Sequence, residues 1–219
     1  MYREFRPEGD VVDCVWVSTR VGVQRVVPDG CMDIMWVKGS LEVAGPDTRA
    51  HLAEVDGYTV GVRFRPGMAP GFLGIPGNEL RDTRVPLDRL WSRERVEWLT
   101  ENIHKGLPGQ ALLQAVGEAR EDTFAAAVKR LLHNDIRDIA ETLNVSERQL
   151  HRRCLTRFGY GPKTLQRVIR FSHAMDLAYN GQAFADIAHQ TGYADQAHLA
   201  REVKDLAGAT LSELVRTPT

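Results

Sequence analysis

The chain has 219 residues, 43% of them hydrophobic and 26% charged, with a formal net charge of −1. Those proportions are ordinary for a soluble globular protein. No apolar run approaches the roughly 20 residues of a membrane helix, and the opening MYREFRPEGD lacks a signal peptide's apolar core, so a cytoplasmic protein with no membrane partner is expected. Cys14, Cys31 and Cys154 are odd in number, widely separated and free of any Cys-x-x-Cys spacing, which argues against a disulfide framework or structural zinc.

From Val11 to about Arg84 the pattern is strand and turn. VVDCVWV, RVVPDGCMDIMWV, LEVAG and YTVGVRFRPG are rich in Val and aromatic residues, and Pro-Asp-Gly, Lys-Gly-Ser, Gly-Pro-Asp and Asp-Gly punctuate them. In CMDIMWV, Met32, Ile34 and Trp36 share one face and Asp33 and Met35 the other, as in a strand buried fully on one side and partly on its other. A small antiparallel sheet or incomplete barrel is expected. Helical spacing follows. Leu87, Leu90, Trp91, Val96, Trp98, Leu99 and Ile103 suit a short turn and a helix capped by Ser92 and stopped at Lys105-Gly106. A second helix runs from Pro108 to about Ala119, and a third from Phe124 to His133. The break at Glu121-Asp122-Thr123 sets an expected domain boundary near residue 121.

The last third contains one unit twice. Asp138-Ile139-Ala140 falls on Asp186-Ile187-Ala188, and with one extra residue in the second turn, Leu150 falls on Leu199, Arg152 on Arg201, Gly159 on Gly208 and Leu165 on Leu214. Self-similarity of this kind marks a supersecondary unit used twice, here two helix-turn-helix units. In the first, Ile136, Ile139, Ala140 and Leu143 form the apolar stripe, Asn144 suits a left-handed helix end, and Ser146 with Gln149 makes a capping box. Leu150, Cys154 and Phe158 then face inward and Arg148, His151, Arg152 and Arg157 outward. In the second, Gly192 is the stop and Asp195 the N-cap. Leu199 and Val203 point in, leaving Gln196, His198, Arg201 and Lys204 for the surface. A long helix from Pro162 to Asn180 joins the units, at a length near one duplex turn.

Charge supports a nucleic-acid partner locally. Residues 1–121 carry 15 Lys+Arg and 18 Asp+Glu, a balance of −3, whereas residues 122–219 carry 13 and 11, a balance of +2. Ser146 to Arg170 holds seven basic residues, Arg148, Arg152, Arg153, Arg157, Lys163, Arg167 and Arg170, against Glu147 alone. The first unit is therefore expected to supply most of the grip.

With these motifs, above all Gly192-Tyr193-Ala194-Asp195-Gln196-Ala197-His198-Leu199-Ala200-Arg201 after Asp186-Ile187-Ala188, the chain resembles the AraC/XylS family of bacterial transcription regulators over residues 122 to 216. The resemblance implies a seven-helix DNA-binding domain with its two units joined by a rigid helix. It places base reading at Glu147, Arg148, His151 and Arg152, and at Gln196, His198 and Arg201. Leu211 after Thr210 and Val203 before Lys204 depart from the family pattern. Pro28-Asp29-Gly30-Cys31-Met32-Asp33 and Gly61-Val62-Arg63-Phe64-Arg65-Pro66-Gly67 resemble a short sensor-like domain that precedes such DNA-binding domains. Family members often sense a small molecule or form a homodimer through this part.

The expected fold is α+β: a β-rich domain with C-terminal helices over residues 1–121, then an all-α domain with two helix-turn-helix units over 122–219. The expected function is a sequence-specific regulator of double-stranded promoter DNA, an activator with RNA polymerase as a second partner. Two rivals remain in view. Cys31 in its Pro-Asp-Gly turn could serve a redox- or alkylation-responsive regulator, and paired helical hairpins could be a protein-interaction scaffold. Trp16, Met32, Trp36, Arg63, Phe64 and Arg65, with Met35, Met68 and Phe72, could line an apolar pocket with an arginine anchor, or form the small domain's core. The histidines have no metal-ligand spacing, and there is no phosphate loop or nucleophile elbow, so neither metal, cofactor nor catalysis is expected.

Overall fold

A computed structural model describes residues 1–117 and 119–216. Its first part is antiparallel β. The strands β1 (Tyr2–Phe5), β2 (Val12–Ser18), β4 (Met32–Val37), β5 (Ser40–Ala44), β7 (Thr59–Phe64) and β8 (Arg84–Pro86) form a six-stranded sheet in the order β1-β2-β7-β4-β5-β8. Strands β3 (Val21–Val26) and β6 (His51–Asp56) pair as a separate two-stranded ribbon. The helix α1 (Ala69–Leu73) follows β7, and α2 (Arg93–Lys105) and α3 (Pro108–Ala115) follow β8.

The register divides the side chains of the main sheet into two sets. Val15 lies opposite Val62, Val62 opposite Ile34, and Phe64 opposite Met32, so Met32, Ile34, Trp36, Val60, Val62 and Phe64 share one face. That face is buried beneath the helices: Trp36 meets His104 of α2 edge-on with ring centroids 5.3 Å apart, and Phe64 packs on Phe72 of α1 at 5.7 Å. Cys14, Trp16, Asp33 and Arg63 occupy the opposite face. Trp98 does not join the core of α2 as expected. Leu99 and Ile103 do, while Trp98, one residue and about 100° away on the helix, is 43% exposed.

Among the described residues, seven helices follow: α4 (Thr123–Leu131), α5 (Ile136–Thr142), α6 (Glu147–Phe158), α7 (Pro162–Tyr179), α8 (Phe184–Gln190), α9 (Gln196–Ala207) and α10 (Leu211–Arg216). The α+β class, the β-rich first part and the all-α second part are as expected. Differences lie at ends and edges. Helix α3 stops at Ala115, short of Ala119, and α4 runs from Thr123 to Leu131, with Asp122 capping it by accepting the Ala125 amide at 2.9 Å. Strands β1, β3, β6 and β8 were not expected. They lie at sheet edges or in the ribbon and expose many of their side chains, so they lack the apolar pattern by which a strand is recognised.

The apolar core is not partitioned where the composition changes. One cluster runs from the sheet through α2 and α3 into α4, α5, α6 and the first turns of α7, as far as Val168. A second begins at Phe171 in the same helix and takes in α8, α9 and α10. The first helix-turn-helix is thus packed continuously with the β-rich part, and the second is a body of its own.

Candidate DNA-reading heads and the seam that holds them

The first head is α5, a tight turn and α6. Asn144 takes φ +50°, the Val145 amide donates to the Ala140 carbonyl at 3.0 Å, and Ser146 and Gln149 close a reciprocal capping box. Leu150, Cys154 and Phe158 are buried. Glu147, Arg148, His151 and Arg152, spaced i, i+1, i+4 and i+5, are exposed together along one side of α6. Arg153 and Arg157 lie along another side, their guanidiniums 4.9 and 5.1 Å from the centre of the Phe124 ring. Arg157, expected among the outward residues, is committed further: its Nε donates to Asp122 Oδ2 at 2.7 Å. It braces α6 against the start of α4 and does not share the Arg148–Arg152 face.

The second head repeats the arrangement with α8 and α9. Gly192 takes φ +76° in the turn, the Tyr193 amide donates to the Ala188 carbonyl at 2.9 Å, and Asp195 accepts the His198 amide at 2.6 Å. Leu199, Val203 and Leu206 point in, while Gln196, Arg201 and Lys204 are exposed. His198 is partly covered: its Nδ1 lies 3.3 Å from the Ala194 amide and its ring stands edge-on to Tyr193. With Nδ1 accepting that bond, Nε2 is left as the donor.

Helix α7 joins the heads with 18 residues, about 27 Å at roughly 1.5 Å per residue. Its side chains alter the charge balance read from sequence. Arg167 donates to Glu202 and to Asp205 of α9, both at 2.6 Å, and Arg170 stacks on Tyr193 at 4.7 Å. Of the seven cations between Ser146 and Arg170, Arg157 and Arg167 are therefore neutralised and Arg170 is packed. In the same exchange, one unit of the negative charge that weakens the second head's potential is offset, shared between Glu202 and Asp205. The contrast in positive charge between the heads is smaller than their sequences suggest.

The β-rich part grips the end of α6 through close backbone approaches. Gly67, with φ +85°, faces Phe158 and Ala125 so closely that an added Cβ would stand 2.6 and 2.7 Å from them. Gly159, with φ +83°, would press a Cβ to within 2.5 Å of Pro46. The Tyr160 hydroxyl donates to the Asp47 carbonyl at 3.1 Å, and Arg81 reaches the Gly159 carbonyl. Gly67, Pro46 and Asp47 belong to the Arg-Pro-Gly and Gly-Pro-Asp turns, so these turns form the seam with the first head.

The residues offered as a ligand pocket are not brought together. Met32, Trp36 and Phe64 are core beneath the helices, and Trp16 and Arg63 lie across the sheet from them. Arg63 Nε donates to Asp33 Oδ1 at 3.1 Å, and its Nη1 lies 3.3 Å from Asp29 Oδ2. The Trp16 indole also donates to Asp33 Oδ1, at 3.0 Å. Asp29 in turn accepts the Cys31 amide at 2.8 Å. This network joins the Pro-Asp-Gly-Cys-Met-Asp and Gly-Val-Arg-Phe motifs. Arg65 Nε instead meets the Val12 carbonyl at 3.4 Å. A shallow, open groove of about 290 Å³ lies elsewhere, between Pro70, Ile75 and Pro76 on one side and Asp122, Thr156 and Arg157 on the other.

Burial, and after it the Asp29 carboxylate, push the Cys31 thiol well above its ordinary range, and burial pushes Cys14 and Cys154 up to about 12. A scarce thiolate makes a poor nucleophile. Iodoacetamide at neutral pH should therefore label Cys31 in the folded chain at least about tenfold more slowly than a free cysteine. Peptide mass spectrometry before and after denaturation measures this.

A helix-turn-helix domain family of the AraC type matches residues 139–217, from within α5 through the end of α10. The chain carries an AraC-type helix-turn-helix domain. Its AraC-type domain makes it a DNA-binding transcription regulator. Residues 6–86 match a family described as a domain of unknown function (DUF6597), which spans the main sheet, the ribbon and α1. No curated protein matches the chain. Among solved structures it is similar over nearly its whole length to ToxT of Vibrio cholerae. An apo ToxT variant gives a TM-score of 0.56 at 15% identity, covering 98% of this chain and 100% of that one. ToxT bound to an unsaturated fatty acid gives 0.52 at 14% identity, covering 98% of each chain. ToxT bound to (E)-4-(8-methylnaphthalen-1-yl)but-3-enoic acid gives 0.52 at 14%, covering 91% and 97%. At such identity the likeness speaks for the fold. No helix among the described residues is long and apolar enough to cross a membrane.

Proposed function

We propose that this regulator is a sequence-specific activator at double-stranded promoter DNA, in which residues 1–121 modulate the DNA-binding residues 122–219. The observation that carries this reading is the pair of capped helices α6 and α9. Each presents a compact polar set at its N-terminal end, Glu147, Arg148, His151 and Arg152 in one and Gln196, His198 and Arg201 in the other. A recognition helix meets base edges with its N-terminal residues, and a connecting helix about 27 Å long, against roughly 34 Å for one duplex turn, suits two successive major grooves. RNA polymerase is the second partner of an activator, and dimerisation through the β-rich part would pair two such readers. The ToxT structures that hold an unsaturated fatty acid and an aryl butenoic acid support a small-molecule effector for this chain too. The raised Cys31 thiol favours that effector over a thiol-based signal.

Selection from a randomised duplex pool, followed by binding of the selected site, tests the assignment. Arg152→Ala and Arg201→Ala are each expected to weaken binding by about 1 to 3 kcal/mol and to relax base preference at one position. Unchanged affinity and preference in both variants would remove the heads as readers. Affinity should also fall steeply as salt rises, because several phosphates are contacted. A protein-interaction scaffold would show no salt-dependent duplex binding.

A further inference from the structure

We propose that the β3–β6 ribbon is a latch that sets the angle of the second reading head against the first. The inference rests on the two-headed reading of DNA. The two heads are attached to the β-rich part in physically different ways. The first shares its apolar core and meets it at Gly67 and Gly159, where an added methyl would clash. The second has a separate core, which Val27 alone of the β-rich part joins among the described residues. Among the described residues, three polar ties to the β-rich part converge on one spot, the C-terminal end of α9. Arg25 Nη1 donates to the Ala207 carbonyl at 2.8 Å, the Ala50 amide donates to the Leu206 carbonyl at 2.7 Å, and Arg49 lies 3.5 Å from Asp205.

These partners are suited to the task. The last carbonyls of a helix have no partner within it, and cations are favoured at the negative end of its dipole. Arg25 and Ala50 come from one end of the ribbon, where Val26 pairs with His51, so a shift of that end moves both bonds together. The ribbon is outside the six-stranded sheet and exposes Val21, Val23 and Leu52, which leaves its position little constrained from outside. Polar contacts open at lower cost than a shared core, so the second head is the body whose orientation the β-rich part can change.

Hydrogen exchange on the full chain without DNA tests the latch. In Arg25→Ala/Arg49→Ala, exchange at Ala50 and through α9 and α10 is expected to quicken by about tenfold while α5 and α6 stay as in the wild type. Arg25→Lys, which keeps a cation at the helix end, should restore most of the protection. An equal rise in both heads, or none in either, would overturn the latch. A second measurement uses a duplex selected against the wild-type chain, with its two half-sites moved apart by one base pair. The wild type should lose affinity sharply and the double variant at most a few-fold; equal losses would also overturn the proposal. Because exchange is read without DNA, a failure of the DNA-reading assignment is distinguishable from a failure of the latch.

Discussion

Arg63→Met is expected to destabilise the chain by about 3 kcal/mol, because it leaves Asp29 and Asp33 without their shared cation on a covered face of the sheet. The figure is set at the low end for a broken buried pair because Arg63 retains 24% exposure and Asp29 31%, so water relieves part of the penalty. Asp33 is more enclosed, at 13%, and also holds the Trp16 indole, so its loss of Arg63 should dominate. Urea denaturation monitored by tryptophan fluorescence measures the change. Arg63→Met/Asp33→Asn should recover a good part of it, since removing both charges of a pair costs less than stranding one. A loss in Arg63→Met below about 1 kcal/mol would show that the network is merely decorative.

Phe158→Ala is expected to cost about 3 to 5 kcal/mol as a buried large-to-small change, and to do so unevenly. Phe158 ends the first reading helix and lies against Gly67, so its removal opens the seam between the β-rich part and the first head. All four tryptophans, Trp16, Trp36, Trp91 and Trp98, lie in the β-rich part and its helices, whereas most helical signal comes from the residues that follow. In the wild type, fluorescence and far-ultraviolet circular dichroism should follow the same transition through the shared core. In Phe158→Ala the two should part, with the helical signal lost first. Coincident transitions in the variant would mean that the core does not couple the two parts through Phe158.

Where structure follows from neighbours in the chain, the residues announce it. The capping box of Ser146 and Gln149, the left-handed Asn144, the Asp195 cap and the Ser92 cap are all satisfied within three or four residues, and each stands where its motif places it. The alternation in Met32 to Val37 likewise survives as full burial on one side and partial burial on the other. The ribbon was not legible because its outer side chains are exposed and its strands pair across 25 residues at Val26 and His51 and 35 at Val21 and Asp56. Nor was the latch: backbone groups at Ala50, Leu206 and Ala207 carry no side-chain signature, and Arg25 is separated from Ala207 by 182 residues.

By itself, then, the sequence determined the duplicated heads, their caps, and the side of each helix that Arg148, Arg152 and Arg201 occupy, because helical period and capping act over one or two turns. Only the tertiary structure decided which cations are available to DNA. Arg157 lies beside Asp122, and Arg167 beside Glu202 and Asp205, across separations of 35 to 38 residues. A count of charges along the chain assigns those arginines to the first head. Coulomb's law acts on distance in space, and the fold neutralises two of the seven while Arg167 offsets one unit of the second head's negative charge, shared between Glu202 and Asp205.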